Sequence, residues 1–418
     1  MIPATGLRRG MVIKKDGQLY SVSSATHKTA GSLRDLVLKT VHPKLRTGFG
    51  LAAFTLSLAG GLAAVTLSMA RAPGFHAAKG EGRVSVIRVP GADEVVKAQI
   101  GADGAIHLLL STADGPQYAK SQDGGVTFSA RVPVVEASSL KPGLEFYGAD
   151  LAVSNDGRVH VVLISNAWKL KLPKEEWALF YASLARSAKV FSPLRNLNRQ
   201  PSEGYSVAAD RRGTVSAAFL SGKLFSMVSH DHGESFTASR ELDAAFNPCD
   251  CCTTSIAYGP DGKLALLYRE ETNNERDMYV VLWDQSGGSP LSRTRISSTL
   301  WQIEGCPMSA YTINSTETGY VAAWPTKGQV YFARLNRSGA VLPPGEIRTP
   351  GLVGMRSRLV ALTAADGTTL VAWKDRRGLG WQLYDAKGQT QGTPGSATSL
   401  GSSAAGVVLA NGRFVLFS

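Results

Sequence analysis

Ser121-Gln122-Asp123-Gly124-Gly125-Val126-Thr127-Phe128 returns in outline 108 residues later as Ser229-His230-Asp231-His232-Gly233-Glu234-Ser235-Phe236. Both stretches fit S-x-D-x-G-x-[ST]-[FW]. The pattern describes a self-contained hairpin turn. Its Asp can accept hydrogen bonds from turn amides, its Gly takes a conformation other residues resist, and its aromatic residue plugs in beneath. Two copies separated by a fixed interval imply that the turn belongs to a larger repeat.

That repeat starts near Glu81. Each unit is an apolar strand, a short turn ending in Gly, and a second apolar strand. The turns fall at Asp103-Gly104, Asp156-Gly157, Arg212-Gly213, Asp261-Gly262, Thr318-Gly319, Asp366-Gly367 and Asn411-Gly412, at intervals of 53, 56, 49, 57, 48 and 45 residues. The segments that follow, such as RVHVVLI, TVSAAFL and TTLVAW, are rich in strand-forming residues. A period near 50 suits a four-stranded propeller blade, and the two S-x-D-x-G turns lie two periods apart. The seventh unit ends after one strand. The segment Arg83–Val89 is free to complete it, which would close the ring and remove two sheet edges. The expected fold is all-β, a propeller spanning residues 81–418. Its turns A–B and C–D share one face; its B–C loops and D-to-A crossovers share the other, where propeller ligand sites usually open.

The S-x-D-x-G-x-[ST]-[FW] turns resemble the Asp-box (BNR repeat) of sialidases and related propellers. The repeat count gives seven blades, whereas the resemblance implies six. It further implies a carboxylate-binding arginine triad, an acid/base Asp, and a Tyr nucleophile backed by a Glu. Arg88-Val89-Pro90 is similar to the motif that carries the first arginine, and Arg269 and Arg276 are candidates for the others. Asp103 and Asp114 are candidate acids, with Asp103 also explained by turn chemistry. Tyr268, Tyr279 and Tyr311 are candidate nucleophiles, each also explained as a strand residue.

Around these candidates, Cys249-Asp250-Cys251-Cys252, Tyr268-Arg269, Arg276-Asp277 and Trp301 through Cys306-Pro307 resemble a combination found in bacterial sialidase-like proteins. Residues 268–279 read as a charged B–C loop between two Cys-bearing crossovers, with Glu270, Asp277 and Trp301 as ligand contacts or as ion-pair partners of the arginines. The cysteines Cys249, Cys251, Cys252 and Cys306 are expected to form two disulfides between neighbouring crossovers. The alternative is a thiolate site for zinc or copper(I). No cofactor is expected. Trp168 and Trp177, in a Lys-rich B–C loop, form either a sugar-stacking lip or a rim packing element.

Outside the repeat, residues 1–48 hold nine Lys/Arg and two acids, so they supply +7 of the net +12, and the remaining 370 residues supply +5. The main domain is therefore only mildly basic, which argues against a nucleic-acid partner. Thr47–Ala70 carries no charge. As a helix it would be about 36 Å long, against a hydrocarbon core of about 30 Å. The basic flank before it predicts a cytoplasmic N-terminus and an exported C-terminal domain, and Ser68-Met69-Ala70 fits a signal-peptidase site. Residues 49–70 are thus expected to be a membrane anchor or a signal helix, placing the propeller in the cell envelope or outside the cell. All four cysteines lie beyond that segment, which agrees with an oxidising destination.

Finally, Met1-Ile2, Leu7–Ile13, Gly17–Tyr20, His27-Lys28-Thr29, Leu33-Arg34 and Leu45–Gly48 resemble the start of elongation factor P. The resemblance implies the first strands of a small SH3-like barrel. Where that family often carries a modified basic residue, this chain has Ala30-Gly31-Ser32. The function expected from the whole chain is an exported sialidase-like propeller that binds or cleaves glycans or another acidic ligand; the alternative is a non-catalytic binding propeller.

Overall fold

The computed structural model describes residues 12–15, 18–29, 32–40, 82–136, 138, 140–284, 289–376, 378–399 and 401–418. The 49–70 segment lies outside them. Among the described residues, no helix is long and apolar enough to cross a membrane. The described residues of the leader and those from 82 onward belong to separate compact units. In the first, Val12–Lys15, Gln18–Thr29 and Ser32–Thr40 form a three-stranded antiparallel meander.

The second unit is an all-β, seven-bladed propeller. Blade 1 consists of Glu94–Ile100, Ile106–Thr112, Gly115–Ser121 and Val132–Pro133, strands A to D from the axis outward. Blades 2 to 6 repeat this order at residues 146–196, 203–241, 255–295, 312–352 and 360–397. Six of the seven turn glycines sit in the A–B turns expected of them, and Gly319 opens strand B just after its turn; all seven have positive φ. Blade 7 takes Ala405–Val408 and Phe414–Phe417 from the C-terminus and Val84–Ile87 from the other end of the domain. The last pairing is parallel, with Phe414 opposite Val84. Arg83 fastens the join: it donates to Gly412 O at 3.1 Å, Thr368 Oγ1 at 2.6 Å and Asp366 Oδ1 at 2.7 Å.

The core lies between blades, because successive sheets pack face to face and bury the alternating apolar residues of strands B and C. The S-x-D-x-G turns are part of that packing. Ser121 Oγ accepts from Gly125 N at 2.8 Å, and Asp123 accepts from Thr127 N at 2.9 Å and from Thr127 Oγ1 at 2.5 Å. The second turn matches: Ser229 Oγ accepts from Gly233 N at 2.7 Å, and Asp231 Oδ1 from Ser235 N at 2.9 Å. Each aromatic residue reaches the preceding blade, Phe128 onto Phe417 and Phe236 onto Tyr181, at 6.5 and 5.0 Å between ring centroids. A Cβ on Gly233, at φ +85°, would stand 2.0 Å from the Tyr181 hydroxyl, so no larger residue fits.

Hydrogen bonds from Thr127 pull the Asp123 carboxyl down to about 2 from an ordinary 3.8. A depressed folded-state pKa adds stability that is complete above the unfolded value and disappears as pH falls toward the folded one. Asp123→Asn is therefore expected to flatten the fall in melting temperature between about pH 4 and pH 2. Parallel wild-type and variant curves in that window would show that the turn carboxylate is not linked to folding.

Candidate functional site at the funnel mouth

The seven A strands surround a central channel. On the face of the B–C loops and crossovers it widens into a funnel of about 320 Å³, to which every blade contributes. Below it lies a narrow cavity of about 70 Å³, which shares Val96, Tyr205, Thr253, Ala310 and Arg358 with the funnel. The opposite mouth opens at Gln99, Ala209 and Ser315. The channel wall mixes polar and apolar groups; Lys97 and Asp150, on the A strands of blades 1 and 2, form an ion pair at 3.4 Å.

Arg358 dominates the funnel floor. The segment just before strand A of blade 6 holds its backbone, with Arg358 N donating to Ser402 O at 3.0 Å and Ala404 N to Arg358 O at 3.1 Å. From there the guanidinium crosses the axis to blades 2 and 3. It donates to Ala149 O at 3.1 Å and to the Tyr205 hydroxyl, and it lies 5.6 Å from the Tyr205 ring centroid. Two residues earlier, exposed Arg356 stands at the funnel wall with Glu203 across from it. Partial desolvation at the funnel wall raises the Glu203 carboxyl pKa although the residue as a whole is exposed; Asp250 adds to the rise and Arg356 opposes it. Burial likewise raises the Tyr205 phenol. At the rim is Tyr147, 56% exposed, and Trp168, 51% exposed, stands in the blade-2 B–C loop on the same face. The site therefore combines two guanidinium groups, an exposed tyrosine and a carboxyl whose pKa is raised. Such a set can grip an acidic, hydroxyl-rich ligand.

The residues singled out from the sequence divide. Cys251 and Cys252 line the funnel, Trp168 is exposed in the blade-2 B–C loop and is not among the lining residues, and Asp114 is exposed in the blade-1 B–C turn beside the funnel residues Thr112 and Gly115. Trp177 is half-buried and donates to Leu172 O at 2.9 Å, so it folds its own loop. Arg88 is exposed just past the closing strand and is not among the funnel-lining residues.

The charged stretch 268–279 is not the loop expected. Leu264–Thr272 and Glu275–Trp283 are paired strands, joined by Asn273-Asn274 at φ 50° and 67°. This two-residue turn leaves the charged side chains inside the sheet. Arg269 is fully buried, donates to Arg276 O at 3.1 Å and Pro325 O at 2.5 Å, and sits 4.8 Å from the centroid of the Trp301 ring. A ligand cannot reach it without rearrangement. Arg276 pairs with Glu271 at 2.8 Å, Glu270 with Arg293 at 2.7 Å, and Asp277 with Arg295 at 2.8 Å. Tyr268 is fully buried and accepts from Arg293 Nε at 2.8 Å. Tyr311 is buried and accepts from Arg269 N at 3.1 Å. Arg88, Arg269 and Arg276 thus do not converge. The convergent pair is Arg356 and Arg358, for which no local sequence motif stood out.

One of the two expected disulfides is formed: Cys251–Cys306 joins the crossovers into blades 4 and 5. Cys249 and Cys252 are buried thiols with their Sγ atoms 3.4 Å apart. The Sγ atoms of Cys249, Cys251 and Cys252 all lie within 4.8 Å of one another, a cluster that could hold a metal ion. The disulfide occupies Cys251, however, and leaves two thiols as ligands.

No protein-family model matches the chain, and no curated protein does either. Its similarity is to solved propellers. An ulvan lyase, from a new family of polysaccharide lyases, aligns at 11% identity over 76% of this chain and 88% of its own, with a TM-score of 0.50. The α-L-arabinanase of Penicillium chrysogenum aligns at 13% over 72% and 95%, TM-score 0.45. The leech intramolecular trans-sialidase aligns at 11% over 74% and 69%, TM-score 0.44. At these identities the likeness is one of fold.

Proposed function

We propose that this chain is an exported, sialidase-like propeller that binds acidic glycans in its funnel, at the cell envelope, without cleaving them. The observation that carries this reading is the pair Arg356 and Arg358, two residues apart on one crossover, in a funnel edged by the exposed Tyr147. Guanidinium forks suit carboxylates, and exposed aromatic rings suit sugar faces. Export is supported by the uncharged 47–70 stretch behind a basic flank and by a disulfide that suits an oxidising compartment. In the same reading, the leader is an elongation-factor-P-like fragment with no part in glycan binding.

The competing reading is an exo-glycosidase. Glu203 and Tyr205 favour it, since both line the funnel and Arg358 donates to the tyrosine. Binding is preferred because Tyr205 is buried with its hydroxyl already engaged by Arg358, whereas Arg356 is exposed in the funnel and free to meet a ligand carboxylate. The test is titration of the full chain with a sialylated oligosaccharide and its neutral counterpart. The sialylated ligand is expected to bind more tightly, and Arg356→Ala to weaken it by about tenfold, the usual value of a lost charge-assisted hydrogen bond. Equal affinity for both ligands would remove the acidic preference. Release of free sialic acid would establish the glycosidase instead.

A further inference from the structure

Four cysteines meet at the funnel mouth, and glycan binding makes no use of their chemistry. Cys251 and Cys306 are joined, with Cys306 exposed. Cys249 and Cys252, in C-x-x-C spacing, are a buried dithiol at 3.4 Å. The pairs touch, since Cys249 Sγ lies 3.5 Å from Cys251 Sγ. An attacking sulfur, the disulfide it would attack and a resolving thiol therefore form a chain of contacts.

A second observation bears on the same place. Arg269 is fully buried, its hydrogen-bond acceptors are carbonyl oxygens, and its Nε has no partner. Cys252 is its foremost favourable electrostatic partner. Cys249 N also donates to Arg269 O at 2.8 Å, which ties the two segments together. A buried cation held by carbonyls favours an anion beside it, and here a thiolate can supply it. Sharing a proton lowers the Cys252 thiol and raises that of Cys249, with Arg269 adding to the fall at Cys252, so Cys252 is the base that takes up the Cys249 proton when Cys249 attacks.

We propose that these four cysteines form an electron relay, in which the buried Cys249/Cys252 dithiol and the rim Cys251–Cys306 disulfide exchange places, making the funnel rim a reducing site for disulfide-bearing ligands. In the first step the Cys249 thiolate, its proton passed to Cys252, attacks Cys251 Sγ. The Cys251–Cys306 bond breaks, and the Cys306 thiolate leaves into solvent and takes up a proton. In the second step Cys252 gives up its proton and attacks Cys249 Sγ. The Cys249–Cys251 bond breaks, and Cys251 takes up the proton. Two electrons have moved outward, with no external oxidant or reductant.

In the exchanged state the Cys306 thiolate attacks a ligand disulfide, and one ligand sulfur leaves as a thiol. Cys251 then attacks Cys306 Sγ, the second ligand thiol leaves, and Cys251–Cys306 is restored. The chain has been oxidised at Cys249–Cys252, and an external dithiol must reduce that pair before another turnover.

The experiment uses the full chain purified without reductant. Free thiols are alkylated under native conditions and the disulfides mapped by mass spectrometry. A labelled Cys306 together with a Cys249–Cys252 disulfide in a fraction of chains is the expected result. Cys249→Ser should reduce Cys306 labelling by about tenfold or more, because the attacking sulfur is gone. Should that variant fail to fold, Cys252→Ser decides: it should stop after the first step, with a Cys249–Cys251 disulfide and a free Cys306. In single-turnover assays, consumption of oxidised glutathione would identify small-molecule disulfides as ligands, and consumption of insulin disulfides alone would identify polypeptides. The relay is overturned if Cys306 stays unlabelled in wild type, if neither disulfide is consumed, or if the purified chain holds stoichiometric zinc or copper on these thiols.

Discussion

A chain lacking residues 82–89 is expected to lose the cooperative unfolding transition of the propeller. Val84–Ile87 is the outer strand of blade 7 and its parallel partner is Phe414–Phe417. Its removal exposes the backbone edge of that strand and uncovers the apolar clusters in which Val84, Val86 and Ile87 take part. The three hydrogen bonds of Arg83 to blades 6 and 7 go as well. Half-burial of three aliphatic side chains is worth about 1 kcal/mol each, and each hydrogen bond a similar amount. The sum, about 5 kcal/mol or more, is comparable with the whole net stability of a domain, about 5–15 kcal/mol. An unpaired strand edge also invites association between chains. Far-UV circular dichroism during thermal unfolding checks this. A deletion chain that melts cooperatively within a few degrees of wild type would mean that the ring does not depend on this strand.

Arg269→Ala is expected to destabilise the propeller by about 3–5 kcal/mol, through a cavity and stranded buried acceptors. The lost groups are specific: donors to Arg276 O and Pro325 O, and the cation beneath Trp301. Arg269→Lys should recover only part of this, because an ammonium cannot reproduce a planar fork against two carbonyls. Glycan affinity per folded chain should be unchanged in both, since Arg269 is closed off from solvent. Chemical denaturation alongside ligand titration separates the two effects. A variant of wild-type stability that no longer binds would place Arg269 in the site after all.

The closing strand and Arg269 illustrate what can be read from sequence. The turn glycines were legible because positive φ selects glycine locally, whatever the tertiary context. The closing strand was legible because an incomplete seventh unit and a spare strand at the other end of the repeat have one economical solution. Residues 268–279 misled because Asn273-Asn274 makes the hairpin turn without a glycine, and because their acids are matched by Arg293 and Arg295 on the neighbouring strand. A charged run then looks like a solvated loop although it is a buried, paired strand. Arg356, Arg358, Glu203 and Tyr205 were invisible for a different reason. Arg356 and Arg358 come from the crossover into blade 6 and Glu203 and Tyr205 from strand A of blade 3, and only closure of the ring brings them to one axis.

Hydrogen-exchange mass spectrometry of the full chain, with and without a saturating sialylated oligosaccharide, tests the funnel reading most directly. Ligand binding should slow exchange in the crossovers around residues 201–205, 251–254 and 354–358, and leave the A–B turns on the opposite face unchanged. Protection confined to the outer surface near Arg88, or to the opposite mouth of the channel, would contradict the assignment of the funnel as the ligand site.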